Sequence, residues 1–214
     1  MSIDYERFAR VLTRSIEVGE EADAHPVVVA VFKETLADDA PAYLALETKI
    51  SNAMTGFAKE NGEALAALAD LDAPYRVARA AVLAILPETY LPDTLKSLPT
   101  DTDKLNAITR LLDVIDDHVG KEWADALLAG EFGAKAARTT SELTEAIAAN
   151  KVLSKARTDR AAAYGPTYEK YLRFKHVVRN AYGPGSKQYQ RIHLRASPGA
   201  SAPDTEPGAG GTGP

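Results

Sequence analysis

Apolar side chains return every third or fourth position along most of this chain. That interval lines one face of an α-helix, whereas a strand would alternate every second residue. Phe8, Val11, Leu12, Ser15 and Ile16 share one such face, and Val28, Val31, Phe32, Thr35 and Leu36 form a second behind Pro26. Proline suits the first turn of a helix, where the backbone N–H has no intrahelical partner to lose. A third stripe follows Asp38-Asp39 and Pro41, with Tyr43, Leu46, Ile50, Ala53, Met54 and Phe57 in phase. Asn61-Gly62 is expected to end it, since both residues tolerate the left-handed conformation that closes helices. Shorter helices are then expected over 63–71 and from Pro74 to Pro87, the second carrying Tyr75, Ala78, Val82, Ile85 and Leu86.

Pro87, Pro92 and Pro99 mark residues 87–103 as a connection. Beyond it, Asp101-Thr102-Asp103 caps a helix with Leu105, Ile108, Leu112, Ile115 and Val119 in phase, and Trp123, Leu127 and Leu128 mark a short helix before Gly130. Thr139 and Glu142 have the spacing of a capping box, opening a helix expected to stop at Gly165-Pro166. Tyr168, Tyr171, Phe174, Val178 and Ala181 stripe the next helix, which Gly183-Pro184 should stop, and Ser186 suits the N-cap of a short last one. From Ala196 to Pro214, five glycines and four prolines leave little to bury, which predicts a disordered tail. No stretch alternates as a strand. The expected fold class is all-α, an antiparallel helical bundle.

Two pairs of prolines, Pro74 with Pro166 and Pro92 with Pro184, each lie 92 positions apart, and the same spacing sets Val82 against Phe174 and Leu86 against Val178. Such recurrence points to an internal repeat. Two similar helical bundles in tandem are therefore expected, an N-terminal half over 1–99 and a C-terminal half over 100–195, with the Gly/Pro/Ala tail over 196–214.

Charge is distributed unevenly. Residues 1–150 hold 14 basic against 26 acidic side chains, and residues 151–195 hold 11 basic against Asp159 and Glu169. The basic segment also holds six of the aromatic residues: Tyr164, Tyr168, Tyr171, Phe174, Tyr182 and Tyr189. Lys170, Arg173, Lys175, Arg179, Lys187, Arg191 and Arg195 form the candidate partner-binding surface. Cations beside aromatic rings can hold nucleic acid, by displacing counterions and stacking on bases. Against that, the rings at 168, 171 and 174 recur at core spacing with Val178, and buried rings cannot stack on bases. The acidic remainder of the chain offers a third outlet for the cations, either by internal pairing or by contact with another copy or an acidic protein.

Chemical signatures are few. With no cysteine, thiol nucleophiles, cysteine-ligated metals and disulfides are excluded. The positions three before His25, His118, His176 and His193 are Ala22, Ile115, Arg173 and Gln190, so the Glu-x-x-His pairs of carboxylate di-iron bundles are missing. Asp113, Asp116 and Asp117 with His118 and Glu122, like Glu17, Glu20 and Glu21, fit the solvated side of amphipathic helices. Asp101-Thr102-Asp103 begins like a calcium loop but has Asn106 and Leu112 where glycine and glutamate are required. Gly183-Pro184-Gly185-Ser186-Lys187 lacks the order of a phosphate loop and follows a helix. No metal, cofactor or catalytic residue is assigned. No apolar run reaches the ~20 residues of a spanning helix, and the first residues lack a secretory pattern. The expectation is a cytoplasmic protein with no membrane partner.

The stretch from Tyr171 to Tyr189, with Phe174, Val177-Val178-Arg179, Tyr182-Gly183 and Ser186, resembles the C-terminal helix and turn of bacterial all-helical bundle proteins that have no assigned function. The resemblance implies that Arg179, Tyr182 and Gly183 fix the junction of the last two helices, and it implies no activity. The function expected is that of a non-catalytic helical bundle that contacts another protein or itself through charge-complementary surfaces. The alternatives are a nucleic-acid-binding module using 151–195, and an enzyme or ligand carrier with a pocket between helices.

Overall fold

A computed structural model of the chain describes residues 4–193. Arg195 and the tail over 196–214 lie outside the described residues. The chain is all-α: among the described residues there are seven α-helices, one 3-10 turn and no strand. The helices are α1 (Tyr5–Gly19), α2 (Pro26–Thr35), α3 (Asp39–Ile85), α4 (Asp101–Asp116), α5 (Glu122–Ala129), α6 (Glu131–Tyr182) and α7 (Lys187–Ile192), with the 3-10 turn at Leu95–Ser97.

Two helices are much longer than their local signals allow. Asn61-Gly62 and Pro74 lie inside α3, and Thr139 and Gly165-Pro166 lie inside α6, so none of them is the cap or stop that the sequence suggests. A glycine costs a helix about 1 kcal/mol and a proline about 3. The apolar side chains buried on either side offset this: Ala64, Leu71, Tyr75, Ala78 and Val82 on α3, and Leu143, Leu153, Tyr171, Phe174 and Val178 on α6. The carbonyls that the two prolines leave without an N–H belong to Asp70 and Ala162, both on exposed residues that water can reach. Thr139 is buried, and its hydroxyl lies 2.8 Å from the Lys135 carbonyl and 3.1 Å from that of Ala67.

The described residues of Met1–Leu44 and Pro166–Pro214 make one compact unit, here the terminal unit, and Ala45–Gly165 make a second, the central unit. These differ from the expected halves, 1–99 and 100–195, because the long helices carry each half into both units.

In the terminal unit α1 packs on α2 and α7. Phe8 sits edge-on to Tyr43, Tyr168 and Tyr171, with ring centroids 5.1, 5.6 and 5.8 Å away, and Phe32 meets Phe174 at 5.7 Å. Gly19 faces Phe32 so closely that a Cβ there would overlap the ring. At Gly183 the backbone has φ +87°, a turn that favours glycine, and Ser186 then caps α7 by accepting the Tyr189 N–H at 3.2 Å.

In the central unit α3 and α6 run antiparallel: Glu47 pairs with Arg160 at 3.0 Å, Ile50 and Phe57 pack with Leu153 and Ala156, and Ala67 meets Thr139. Phe57 is half-buried, and Met54, Ile85 and Val119, expected in the core, are exposed. A larger core gathers Leu71, Tyr75, Val82, Ile108, Leu111 and Phe132. The proline-bearing segment after α3 is tied back onto that helix. Tyr75 donates its hydroxyl to the Pro92 carbonyl at 3.1 Å and Arg79 its Nε to that of Leu91 at 3.1 Å, while Arg79 also bonds Asp93.

Elements and burial recur at a spacing of 96, in place of the 92 suggested by the prolines. Tyr5 and Asp101 begin α1 and α4, and Pro26 and Glu122 begin α2 and α5. The buried pairs Leu12/Ile108, Val28/Ala124, Leu36/Phe132, Ala40/Ala136, Tyr75/Tyr171 and Val82/Val178 are in the same register. The caps agree too, since Asp4 accepts from the Arg7 N–H and Thr100 from the Asp103 N–H. The prolines fall out of register because none of them is fully buried: Pro74 and Pro166 sit within the long helices and Pro92 and Pro184 in the segments that follow them, whereas packing fixes the buried positions.

Candidate functional site

Folding redistributes the charge. The described residues of the terminal unit contain ten basic and ten acidic side chains, so the positive excess of 166–193 is cancelled by the acidic excess of 4–44. The central unit contains 14 basic and 18 acidic side chains.

The predicted basic surface divides accordingly. Lys170 bonds Asp39 at 2.5 Å, and Arg191 grips Glu17 and Glu21, each at 2.5 Å. The hydrogen bond to Glu17 contributes most to holding the Arg191 guanidinium above its usual pKa. Lys175 lies 5.9 Å from the centroid of Tyr171 and 5.8 Å from that of Tyr189; burial, and then the neighbouring Arg179 charge, push its pKa down. These three side chains are engaged within the unit. Arg173, Arg179 and Lys187 are exposed and, among the described residues, have no acidic partner. On α6 the helical spacing sets Leu172, His176 and Arg179 on one face beside Arg173, and Leu172 is 42% exposed.

The rings that would stack on bases are elsewhere. Tyr171 and Phe174 are fully buried, and half-buried Tyr168 packs on Phe8. The Tyr171 hydroxyl donates to the Ile192 carbonyl at 2.6 Å. At the junction of α6 and α7, Tyr182 accepts the His25 N–H at 2.6 Å, and the Gly183 N–H bonds the Arg179 carbonyl at 2.9 Å.

The acidic residues weighed as metal ligands are otherwise engaged or apart. Asp113, Asp116 and Asp117 are exposed, and the His118 Nδ1 lies 2.9 Å from the Val114 carbonyl. Glu17 and Glu21 serve Arg191. One grouping escapes sequence inspection because it joins α3 to α6: oxygens of Glu60, Glu63 and Glu142 lie within 4.8 Å of one another. Lys59 donates to Glu60 at 3.0 Å and Glu63 at 3.3 Å, and Arg138 lies 3.9 Å from Glu142, so protein cations already engage each of these acids.

A second feature unseen in the sequence is a cleft of about 560 Å³ beside α1, lined by Arg7, Arg10, Val11, Arg14 and, from the other end of the chain, Gln190 and His193. The arginines at i, i+3 and i+7 were its legible part; the stripe of Phe8 and Leu12 fixes their face, but nothing local announces the wall supplied by α7.

No protein-family model, curated protein or solved structure matches the chain. Among the described residues no helix is long and apolar enough to cross a membrane.

Proposed function

We propose that this is a non-catalytic binding protein whose terminal unit docks an acidic segment of another protein. We read the 96-residue recurrence as an internal repeat whose copies have diverged in surface chemistry. The observation that carries the docking reading is the set Arg173, Arg179 and Lys187, exposed and, among the described residues, without acidic partners, in a unit where Lys170, Lys175 and Arg191 are committed internally. Exposed Leu172 among the cations of α6 gives such a surface an apolar anchor within a charged rim. The burial of Tyr171 and Phe174 weighs against stacking on nucleic acid.

The experiment is fluorescence anisotropy with a labelled peptide of alternating glutamate and leucine, beside single-stranded DNA of equal charge. The peptide should bind, weaken as salt rises, and lose its affinity in Arg173→Glu/Arg179→Glu/Lys187→Glu. Absence of peptide binding at low salt, or a preference for the DNA, refutes the proposal. Light scattering at low and high salt identifies the case in which the acidic partner is a second copy of this chain.

A further inference from the structure

Each core of this fold is built from both repeats. The described copies are 4–99 and 100–193, and each has a head of two short helices, α1–α2 or α4–α5. Each also has an arm, formed by the end of its long helix and the segment after it, 70–99 in the first copy and 166–193 in the second. In the terminal unit the first head holds the second arm: α1 packs on α7, Phe8 on Tyr171 and Phe32 on Phe174. In the central unit the assignment is reversed. There α4 packs on the 3-10 turn of the first arm, and Ile108, Leu111 and Phe132 share a core with Leu71, Tyr75 and Val82. Neither copy packs its arm on its own head, since the two lie in different units.

The polar contacts follow the same partition. Asp39 with Lys170, Glu17 and Glu21 with Arg191, and the His25 N–H with the Tyr182 hydroxyl all join the first repeat to the second in the terminal unit. Thr139 with the Ala67 carbonyl, and Arg138 with Asp70, do so in the central unit. One repeat alone would leave two apolar surfaces in water: Phe8, Leu12 and Phe32 on its head, and Leu71, Tyr75 and Val82 on its arm, all buried in the whole chain. A helix such as this arm draws most of its stability from packing that face.

Reciprocal exchange of like elements is the construction of a swapped dimer. We infer that this chain is such a dimer made continuous: the partner that each head fits is the arm of another copy of the repeat, and the peptide joint at Pro99–Thr100 is dispensable to the fold. Both residues at the joint are exposed, and Thr100 opens the second copy as the N-cap of α4 just as Asp4 opens the first as that of α1. The inference rests on the recurrence read above as a repeat and is independent of the acidic-peptide surface, which is read by binding to the uncut chain.

A protease site inserted between Pro99 and Thr100 of the full chain tests it. Before cleavage the variant should keep the far-ultraviolet spectrum and urea midpoint of the parent. After cleavage the two pieces should elute together at the intact mass at micromolar concentration, with the spectrum retained. Their unfolding becomes bimolecular. Each tenfold dilution of the cut protein is equivalent to about 1.4 kcal/mol, which lowers its midpoint by about 0.5 M at a slope of about 3 kcal/mol per molar urea, whereas the uncut chain does not respond. Far-ultraviolet signal and Trp123 fluorescence should be lost together, because each piece supplies part of both cores. Should the insertion disturb the Thr100 cap, the same site after exposed Glu88 replaces it, with the same expectations. Pieces that separate as folded monomers, a midpoint indifferent to dilution, or loss of helix on cleavage would each overturn the inference.

Discussion

Tyr75 and Tyr171 occupy corresponding positions 96 residues apart, and each hydroxyl ties its helix to a later segment of the chain. Removing the two hydroxyls should nevertheless have unequal effects. Tyr171 donates to the Ile192 carbonyl at 2.6 Å, and Ile192 is fully buried. Tyr171→Phe keeps the ring beside Phe8 but leaves that carbonyl without its partner where water has little access. The lost hydrogen bond is worth about 0.5–1.5 kcal/mol, and a buried unsatisfied acceptor raises the cost to about 1–3 kcal/mol, so about 2 kcal/mol is expected. Tyr75 donates at 3.1 Å to the carbonyl of Pro92, a half-buried residue where water can substitute. Tyr75→Phe should cost about 1 kcal/mol or less. Urea unfolding followed by far-ultraviolet circular dichroism measures both, with Trp123 fluorescence reporting on the central unit, since it is the sole tryptophan. At a slope of about 1–3 kcal/mol per molar urea, Tyr171→Phe should lower its midpoint by roughly 1 M with the slope unchanged. Equal costs, or a larger one at Tyr75, would refute the argument that access of water to the acceptor sets the penalty.

Burial raises the Tyr75 pKa above its usual 10.0, so its contribution to stability is complete below that pH and is lost as pH rises through the raised folded value. The Trp123 urea midpoint should fall as pH rises above about 10, and Tyr75→Phe should flatten that fall. Arg191→Ala removes the bonds to Glu17 and Glu21 from a partly exposed site; a loss of about 1 kcal/mol is expected, shrinking in 1 M salt, and a salt-independent loss would point to packing instead. Gly19→Ala forces a Cβ into the Phe32 ring and should destabilise by about 1–3 kcal/mol, with partial recovery in Gly19→Ala/Phe32→Leu by thermal melting. Phe57→Ala should cost about 2 kcal/mol in urea, below the ~3–5 of a fully buried ring, because Phe57 is only half-buried.

Which faces are buried was largely legible. Phe8, Val11, Leu12 and Ser15 on α1, and Tyr171, Phe174 and Val178 on α6, lie in the core as their spacing implies. Where the long helices end was not. Asn61-Gly62 and Gly165-Pro166 carry sound local stop signals, but their penalties of a few kcal/mol are smaller than the burial gained by continuing. Gly183, by contrast, does end its helix: its backbone takes φ +87° and Pro184 follows, while the apolar residues beyond it, Tyr189 and Ile192, are buried from the separate helix α7. The candidate surface was half legible for a related reason. A run of cations can be counted along the chain, but the acids that claim Arg191 come from 170 and 174 residues away, Glu21 just after α1 and Glu17 within it. Only the fold separates Lys170 and Arg191, which are structural, from Arg173 and Arg179.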